Sequence, residues 1–350
     1  MLNQLTTQLA TGRALDKEQV KQAVTRLVDE SVPAPTKAAF LAALATKGET
    51  AEEIAAFASE LRTRSIQPPL DAETRAREIL DVCGTGGDKL GTFNISTTVA
   101  IVCAAAGVLV AKHGNRAITS KSGSADVLEA LGIKIDLAPA EAAQTLREHG
   151  FAFFFAPNYH PAFKHIAPAR KLCAERGQRT IFNFLGPLLN PARPTAQLMG
   201  VPHHELCEPI ARVLQSLGLR RGMVVCGKGS RLESEVQTLD ELSPLGENTV
   251  AEFYQERGFA SSTLDPSQFP LQPVTLNDLL GGDREANAEI IRRIVRGDDR
   301  GPKRDAVLLN AGAALFVAGR VRSIGEGWEL AAQVIDGGQA HVKLTQLAGS

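Results

Sequence analysis

The stretch DVCGTGGDKLGTFNIST, from Asp81 to Thr97, decides how the rest of the chain is interpreted. It begins inside an apolar run, ILDVCG (79–84), that is typical of a buried strand, and it ends where an apolar helix-like run starts. A strand, a glycine-rich turn and a helix start place backbone N–H groups where an anion is favoured. We therefore interpret the stretch as an anion-binding loop, with a simple glycine-rich turn and N-cap as the alternative.

The polar groups of this loop suit a ligand that carries phosphate. Its glycines let the backbone approach such a ligand closely. Asn94, Ser96 and Thr97 stand where the helix begins, at cap positions, and their amide and hydroxyl groups can bind phosphate oxygens. Asp88 suits sugar hydroxyls, a substrate amine or a metal-bound water. The loop has neither the GK[ST] ending of a Walker A motif nor the GxGxxG spacing of a dinucleotide fold.

A second stretch, VAKHGNRAITSKSGSADVLEALG (110–132), also begins in an apolar run. It gathers Lys112, His113, Arg116 and Lys121 among glycines and hydroxyl residues, which suits a polyphosphate. As an alternative, a basic loop is often simply exposed to solvent and binds no ligand. Two loops that each close a strand of one parallel sheet nevertheless meet at its carboxyl edge, where ligands bind. The two stretches together predict an anion site.

A polyphosphate ligand usually brings Mg²⁺, which prefers oxygen ligands. The segment TLDELSPLG (238–246) supplies adjacent Asp240 and Glu241 outside an obvious helix. Adjacent acids are common on protein surfaces, so this pair becomes a candidate metal site only in combination with the two loops.

The chain divides into a helical beginning and an alternating remainder. Capping boxes are expected at Asp16 and Thr50, and a further helix is expected from Thr36 to Gly48. Residues 65–76 resemble a linker. Strands are expected at 79–84, 108–114, 151–157, 196–202 and 222–227, and helices at 124–131, 139–149 and 204–217, with three more over 280–350. This alternation predicts an α/β fold with a mainly parallel sheet, interrupted by a segment (160–195) that returns to the N-terminal helices.

The composition disfavours several classes of protein. The 350 residues have a net charge of −1, without the basic excess of a dedicated nucleic-acid binder. The five cysteines lack CxxC spacing, which favours buried reduced thiols in the cytoplasm. The N-terminal sequence lacks a signal-peptide pattern, and the apolar run around 99–110 is too short to span a bilayer, so no membrane association is expected.

Several motifs, in order along nearly the whole chain, resemble the anthranilate phosphoribosyltransferase family. They are GTGGD (84–88), TFNIST (92–97), KHGNR (112–116), SKSGSADVLEALG (120–132), FAPNYHPAFKHIAPAR (155–170), FNFLGPLLNPA (182–192) and LDELS (239–243). The resemblance implies transfer of ribose 5-phosphate from 5-phosphoribosyl 1-pyrophosphate (PRPP) to the amine of anthranilate, with release of pyrophosphate, in tryptophan biosynthesis. It also implies a cytoplasmic homodimer formed through the helical domain.

The resemblance further implies a nucleoside phosphorylase-like architecture. Residues 1–75 with part of 160–195 would form the small helical domain. Residues 76–159 and 196–350 would form the large α/β domain that binds PRPP. The active site would lie in the cleft between the two domains.

Site residues are implied by matching positions. PRPP contacts fall on Gly84, Gly87, Asp88, Thr92, Asn94, Ile95, Ser96, Thr97, Lys112, His113, Gly114, Asn115, Arg116, Ala117, Ile118, Thr119, Ser120 and Ser124. Anthranilate contacts fall on Gly84, Asn115, His160 and Arg170, and the Mg²⁺ ligands are Ser96, Asp240 and Glu241. No general base is assigned, because an aromatic amine is neutral at pH 7 and positioning is expected to dominate.

Two features depart from the family pattern. Residues 230–238 are extra sequence before LDELS, and an insertion there can shift the loop that bears Asp240 and Glu241. Thr119 stands where serine is common, but it keeps the hydroxyl group. Without the resemblance, Arg170 would be interpreted as a helix-surface cation and His160 as a loop histidine.

Two other functions stay open at this point. A pyrimidine nucleoside phosphorylase would share the architecture and bind phosphate at glycine loops, although KHGNR and FAPNYH argue against it. A non-catalytic relative that binds nucleic acid is disfavoured by the pI near 6.7.

Overall fold

The structure, a computed structural model, describes residues 1–117, 121–232, 235–255 and 258–349. It begins with the helices α1 (Leu2–Ala10), α2 (Lys17–Val28), α3 (Ala34–Lys47), α4 (Ala51–Thr63) and α5 (Ala72–Ala76). Both expected capping boxes are confirmed: Asp16 accepts the Gln19 N–H and Thr50 accepts the Glu53 N–H.

Two expectations in this region need correction. Helix α3 begins at Ala34 rather than at Thr36, because Pro35 fits the first helical turn, where its missing N–H is not needed. The expected linker over 65–76 contains the short helix α5, whose N-cap Asp71 accepts the Thr74 N–H at 2.7 Å.

From Ile79 onward strands alternate with helices. In chain order they are β1 (Ile79–Gly84), α6 (Ile95–Ala105), β2 (Leu109–Gly114), α7 (Ser124–Ala130), α8 (Pro139–His149), β3 (Phe151–Phe155), α9 (Ala156–Tyr159), α10 (Ala167–Ala174), α11 (Phe182–Leu185), β4 (Ala196–Gly200), α12 (Cys207–Ser216), β5 (Arg221–Leu232), β6 (Glu235–Leu239), β7 (Asn248–Tyr254) and β8 (Gly258–Leu264). The helices α13 (Arg284–Val295), α14 (Pro302–Val317), α15 (Ile324–Asp336) and α16 (Gln339–Ala348) follow.

The sheet has the order β3-β2-β1-β4-β5-β7-β8, with β6 paired to β5. The five expected strands are present and run parallel from β3 to β5. Two of them end earlier than expected, at Phe155 and Gly200, because Pro157 and Pro202 lack the N–H that a strand ladder needs. Strand β5 instead continues to Leu232 and pairs with antiparallel β6 and β7, and β7 pairs with β8; none of these last three strands was predicted.

The expectation of three C-terminal helices was wrong, because residues 280–349 form four. Helix α15 ends at Asp336, and Gly338 adopts φ 80° before α16 begins. Only glycine adopts this left-handed conformation at little cost, so the Gly-Gly pair divides one apolar pattern into two helices.

Helices cover both faces of the sheet. Apolar residues of one face pack against α6 and α13–α16, whereas Met199 and Val224 on the other face share a core with α12 and the N-terminal helices. The segment 160–195 packs on those helices, as expected: Lys37 Nζ donates to the His165 carbonyl at 2.8 Å. All five cysteines are buried free thiols, and burial raises their pKa values.

Candidate functional site

The loop between β1 and α6 turns through left-handed glycines. Gly86 and Gly87 have φ angles of 75° and 95°, which a side chain would strain. Helix α6 begins at Ile95, and the Thr97 N–H has no acceptor among the residues that the structure describes. The start of α6 therefore offers a free donor to an anion, as the sequence pattern suggested.

Asn94 occupies the N-cap of α6 but makes no capping hydrogen bond. Its Nδ2 donates to the Ser122 carbonyl at 3.3 Å, and its Oδ1 accepts from Asn287 Nδ2 at 2.9 Å. Asn94 thus connects the β1–α6 loop both to the loop after β2 and to α13. The sequence suggested a local cap here, whereas the structure shows a bridge between distant segments.

Lys112 lies buried next to the loop. Its Nζ donates to the Val82 carbonyl at 2.6 Å and lies 3.4 Å from Ser96 Oγ. Burial lowers the pKa of Lys112, and the nearby charges of Asp81 and Glu241 act against that shift. Lys112 therefore places a cationic group between the start of α6 and buried carboxylates.

Asp240 and Glu241 follow β6 and lie buried beside the same loop, despite the extra sequence before them. Asp240 Oδ2 accepts the Gly86 N–H at 2.6 Å. Burial, then the charges of Asp88 and Glu241, raise the pKa of Asp240 well above its usual range. Burial also raises the pKa of Glu241 to about 7, opposed by Lys112 and by hydrogen bonds from Ser96.

These oxygen atoms fit a hard cation. Asp88, Asp240 and Glu241 repel one another in a site from which water is largely excluded, and a divalent ion would relieve that repulsion. Ser96 Oγ lies next to Glu241 and completes the expected oxygen set. No group of three or more His, Cys, Asp or Glu that could hold a metal by itself occurs in the described ranges. The proposed metal site thus depends on the hydroxyl and on ligand oxygens as well as on the acidic pair.

Two glycines make room for the acidic pair. Gly84 and Gly200 are paired neighbours on β1 and β4. A Cβ on Gly84 would lie 2.2 Å from Asp240 Oδ2, and a Cβ on Gly200 would lie 1.6 Å from the Asp240 carbonyl oxygen. Gly84 was expected to contact ligands, and the structure gives it this second role. Gly200 was not singled out from the sequence, because the strand was expected to continue to residue 202.

The loop after β2 is held in place by acidic residues of α7, the helix that follows it. Asp126 Oδ2 accepts the N–H groups of Ala117 and Gly123, both at 2.9 Å. Arg116 pairs with Asp126 at 3.1 Å and with Glu129 at 3.0 Å. The roles of Arg116 and Ala117 in binding PRPP remain predictions, since both groups already have protein partners here. Three further expected contacts, Ile118, Thr119 and Ser120, lie outside the described residues.

The other expected loop contacts lie around these groups. Ser124 Oγ is 3.4 Å from the Asn115 carbonyl, and a Cβ on Gly114 would lie 2.3 Å from Ser124 Oγ. Asn115 Oδ1 accepts the Arg116 N–H at 2.8 Å, and its role as an anthranilate contact remains a prediction. Thr92 forms an isolated bridge with Leu280, which anchors the second half of the glycine loop.

A run of aromatic contacts begins one residue after Lys112. The His113 and His160 rings meet edge to face with centroids 5.4 Å apart, and His160 stacks on Phe163 at 5.2 Å. Phe163 in turn contacts Phe182 at 5.6 Å, and the Arg170 guanidinium lies 5.3 Å from the Phe182 ring centre. His160 and Arg170, both expected as anthranilate contacts, are thus joined by two phenylalanines that were not singled out from the sequence.

This aromatic cluster contains neutral imidazoles and an unpaired cation. Burial lowers the pKa of His113 to about 3 and that of His160 to about 4. Their Nε2 atoms are buried without a partner among the described residues. Burial also lowers the pKa of Arg170, whose guanidinium pairs with no carboxylate in the described part of the chain. Such a site suits an aromatic ring that bears a carboxylate.

Arg179 was not expected at the site from the sequence; it lies in the segment that packs on the N-terminal helices. Its Nη2 would lie 3.3 Å from a Cβ on Gly87, so its guanidinium rests against the glycine loop. No sequence pattern linked Arg179 to the glycine loop at Gly87, which lies about 90 residues earlier in the chain.

Comparisons with known proteins match the chain along its length. Residues 3–65 match the helical bundle domain of a glycosyl transferase family, and residues 76–341 match the a/b domain of a glycosyl transferase family. The anthranilate phosphoribosyltransferase of Petrotoga mobilis is 44% identical over 347 residues, which cover 99% of this chain and 96% of that protein.

Solved structures agree with this match. The crystal structure of anthranilate phosphoribosyltransferase from Thermus thermophilus is 40% identical with a TM-score of 0.87, covering 99% of this chain and 98% of that one. The Saccharomyces cerevisiae anthranilate phosphoribosyltransferase in complex with PRPP and Mg is 27% identical with a TM-score of 0.85, covering 99% of this chain and 97% of that one. In the described ranges no helix is long and apolar enough to cross a membrane.

Proposed function

The chain belongs to the anthranilate phosphoribosyltransferase family, and from that premise we propose how its site performs the reaction. The protein transfers the 5-phosphoribosyl group from PRPP to the amine of anthranilate and releases pyrophosphate, a step of tryptophan biosynthesis. The supporting observation is that Lys112 and His113, neighbours on β2, join two different sites. One is a glycine loop beside buried carboxylates, and the other is an aromatic cluster with an unpaired arginine.

The donor PRPP is proposed to lie on the loops that follow β1 and β2. The ring oxygen of the ribose can stabilise positive charge at C1, which favours a dissociative transition state. The protein then has to hold the negative charge that develops on pyrophosphate, and Lys112 and the free Thr97 N–H are suited to this. Ser96, Asp240 and Glu241 would hold Mg²⁺, which when bound supplies further positive charge to the diphosphate.

The acceptor anthranilate is proposed to lie against the aromatic cluster. Arg170 would bind its carboxylate, and the Phe163 and Phe182 rings would contact its ring. The neutral His160 can accept a hydrogen bond from the amine through its unpartnered Nε2. No residue is assigned as a general base, because the amine is already neutral and positioning supplies most of the effect.

The remaining parts of the proposal concern the whole chain. We place the small helical domain at 1–75 with part of 160–195, and the large domain at 76–159 and 196–350. Closure of the cleft between them would exclude water, which otherwise hydrolyses PRPP. A cytoplasmic homodimer formed through the helical domain completes the proposal.

The decisive experiment follows anthranilate fluorescence in the presence of purified protein, PRPP and Mg²⁺. We expect a loss of fluorescence that requires the protein and PRPP, and that a chelator abolishes. Folded protein that leaves the fluorescence unchanged would contradict the function. Phosphorolysis of a pyrimidine nucleoside would then favour a phosphorylase, and a salt-sensitive DNA mobility shift would favour a nucleic-acid binder.

A further inference from the structure

Arg179 contacts the glycine loop from a segment that packs on the N-terminal helices. Its Nη2 lies so close to Gly87 that a Cβ there would be only 3.3 Å away. The side chain is exposed, and its guanidinium has no hydrogen bond or ion pair among the residues that the structure describes. A guanidinium beside a phosphate-type loop, with its donors free, is available to a ligand on that loop.

The residues on either side of Arg179 are fixed. Gln178 Nε2 donates to the Ala42 carbonyl of α3 at 3.1 Å. The buried Thr180 donates its N–H to Asn183 Oδ1 at 2.9 Å. Arg179 is therefore held in place by α3 on one side and α11 on the other, while its side chain reaches a loop of the sheet.

The part of PRPP nearest to Arg179 follows from the neighbours of Gly87. The adjacent Gly86 donates its N–H to Asp240, and Asp88 interacts with the acidic pair. This is the end of the loop that would face the metal, and the metal would bind the diphosphate rather than the 5-phosphate. A guanidinium fork can bind two oxygens of a diphosphate at once.

We propose that Arg179 binds the pyrophosphate group of the donor and thereby links the segment on the helical side to the glycine loop when the donor is bound. This inference rests on the proposed function, because it takes PRPP as the ligand of the loop. The donor contacts expected from the sequence all lie in or beside the loops that follow β1 and β2. Arg179 would add a contact from the segment that packs on the helical side.

The test measures binding of inorganic pyrophosphate by calorimetry, with Mg²⁺ in the buffer. Arg179→Gln should weaken binding about ten- to a hundredfold, the loss expected for a charge-assisted hydrogen bond. Arg179→Lys keeps the charge but not the fork, so its loss should be smaller. The matched control is Arg176→Gln, which removes an exposed arginine three positions earlier and should leave binding unchanged.

Ribose 5-phosphate distinguishes the two phosphate ends of the donor. Its affinity should be the same in Arg179→Gln and in the unsubstituted protein. Unchanged pyrophosphate affinity in Arg179→Gln, or an equal loss for ribose 5-phosphate, would overturn the inference. Calorimetry does not depend on turnover, so failure of the proposed function would be detected separately, as unsubstituted protein that does not consume anthranilate.

Discussion

The ionisable residues of the site derive their properties from burial. The same change of environment raises the pKa of Glu241 to about 7 and lowers that of His160 to about 4. Burial disfavours the charged form in both cases, so it acts in opposite directions on an acid and a base. The site therefore presents carboxyl groups ready to exchange a proton for a metal, and it also presents imidazoles that stay neutral.

Arg170 is expected to bind the acceptor only. Arg170→Gln should raise the Michaelis constant for anthranilate about ten- to a hundredfold, because the carboxylate loses a charge-assisted partner. The Michaelis constant for PRPP should change little. Steady-state kinetics with each substrate varied in turn measure both values, and Lys171→Gln, at an exposed neighbouring position, is the control. Equal changes for the two substrates would contradict the assignment.

Glu241 is expected to make Mg²⁺ binding dependent on pH. A proton and the metal compete for the same oxygens, so the apparent Kd should rise as pH falls below about 7, by up to about tenfold per unit. Titrations of Mg²⁺ at about pH 6 and about pH 8 measure this rise. Glu241→Gln should weaken binding at both values and reduce the difference between them. A Kd that is the same at both pH values in the unsubstituted protein would refute the role of Glu241.

The same shift affects the stability of the metal-free protein. The folded state binds a proton at Glu241 more tightly than the unfolded chain does, since the folded pKa lies above the ordinary 4.5. The resulting stabilisation is present at low pH and is lost as pH rises through about 7.

The acidic pair is positioned by elements from two distant parts of the chain. Strand β4 provides Gly200, against which the Asp240 backbone packs. Helix α14 provides the fully buried Asn310, whose Oδ1 accepts the Leu242 N–H at 2.9 Å and whose Nδ2 donates to the Leu242 carbonyl at 2.8 Å. The backbone next to Glu241 is thus held by one side chain.

Asn310→Ala should therefore disturb the metal site without removing a ligand. It leaves two buried backbone groups without partners, at about 1–3 kcal/mol each, so the free energy of unfolding should fall by about 2–6 kcal/mol. The Mg²⁺ concentration needed for half-maximal activity should rise as well. Urea denaturation and Mg²⁺ titration measure the two effects, with Asn277→Ala at an exposed position as the control. A loss of stability with an unchanged Mg²⁺ requirement would contradict the link.

The donor and acceptor parts of the proposed site are carried by different regions of the molecule. The proposed donor loops belong to the sheet, whereas Arg170 lies on α10, which packs on α3 through Ala169 and Cys173. Cys173 Sγ lies 3.6 Å from the Ala38 carbonyl, and Lys37 contacts the His165 carbonyl. Any movement of the helical bundle relative to the sheet would therefore change the distance between acceptor and donor.

The homodimer is the prediction at this scale. Sedimentation equilibrium should give a mass twice the 37.3 kDa of one chain. The exposed Pro33 lies beside the partly exposed helices α1 and α3, so Pro33→Arg should shift the mass toward one chain if the bundle forms the interface. Thr345→Arg, on the distant α16, should leave the dimer intact. A single-chain mass for the unsubstituted protein would exclude the dimer.

The sequence by itself determined the local features. Capping boxes, the five parallel strands and the glycine loop depend on neighbouring residues, so short patterns were enough to predict them. The errors also have local causes: prolines shortened two strands, and Gly338 divided a helical run. The strands β6–β8 were not predicted, and their antiparallel pairing, of β6 and β7 with β5 and of β8 with β7, is a property of the sheet.

Only the tertiary structure decided which distant groups meet. Asp240 accepts the Gly86 N–H across 154 positions of sequence, and it can do so because β1 and β4 are neighbours with glycines at the point of contact. The approach of Arg179 to Gly87 and the contact of His113 with His160 likewise join residues that are far apart in the sequence and that folding brings together. Side-chain pKa values belong to this class too, because they depend on burial and on charges brought close by folding.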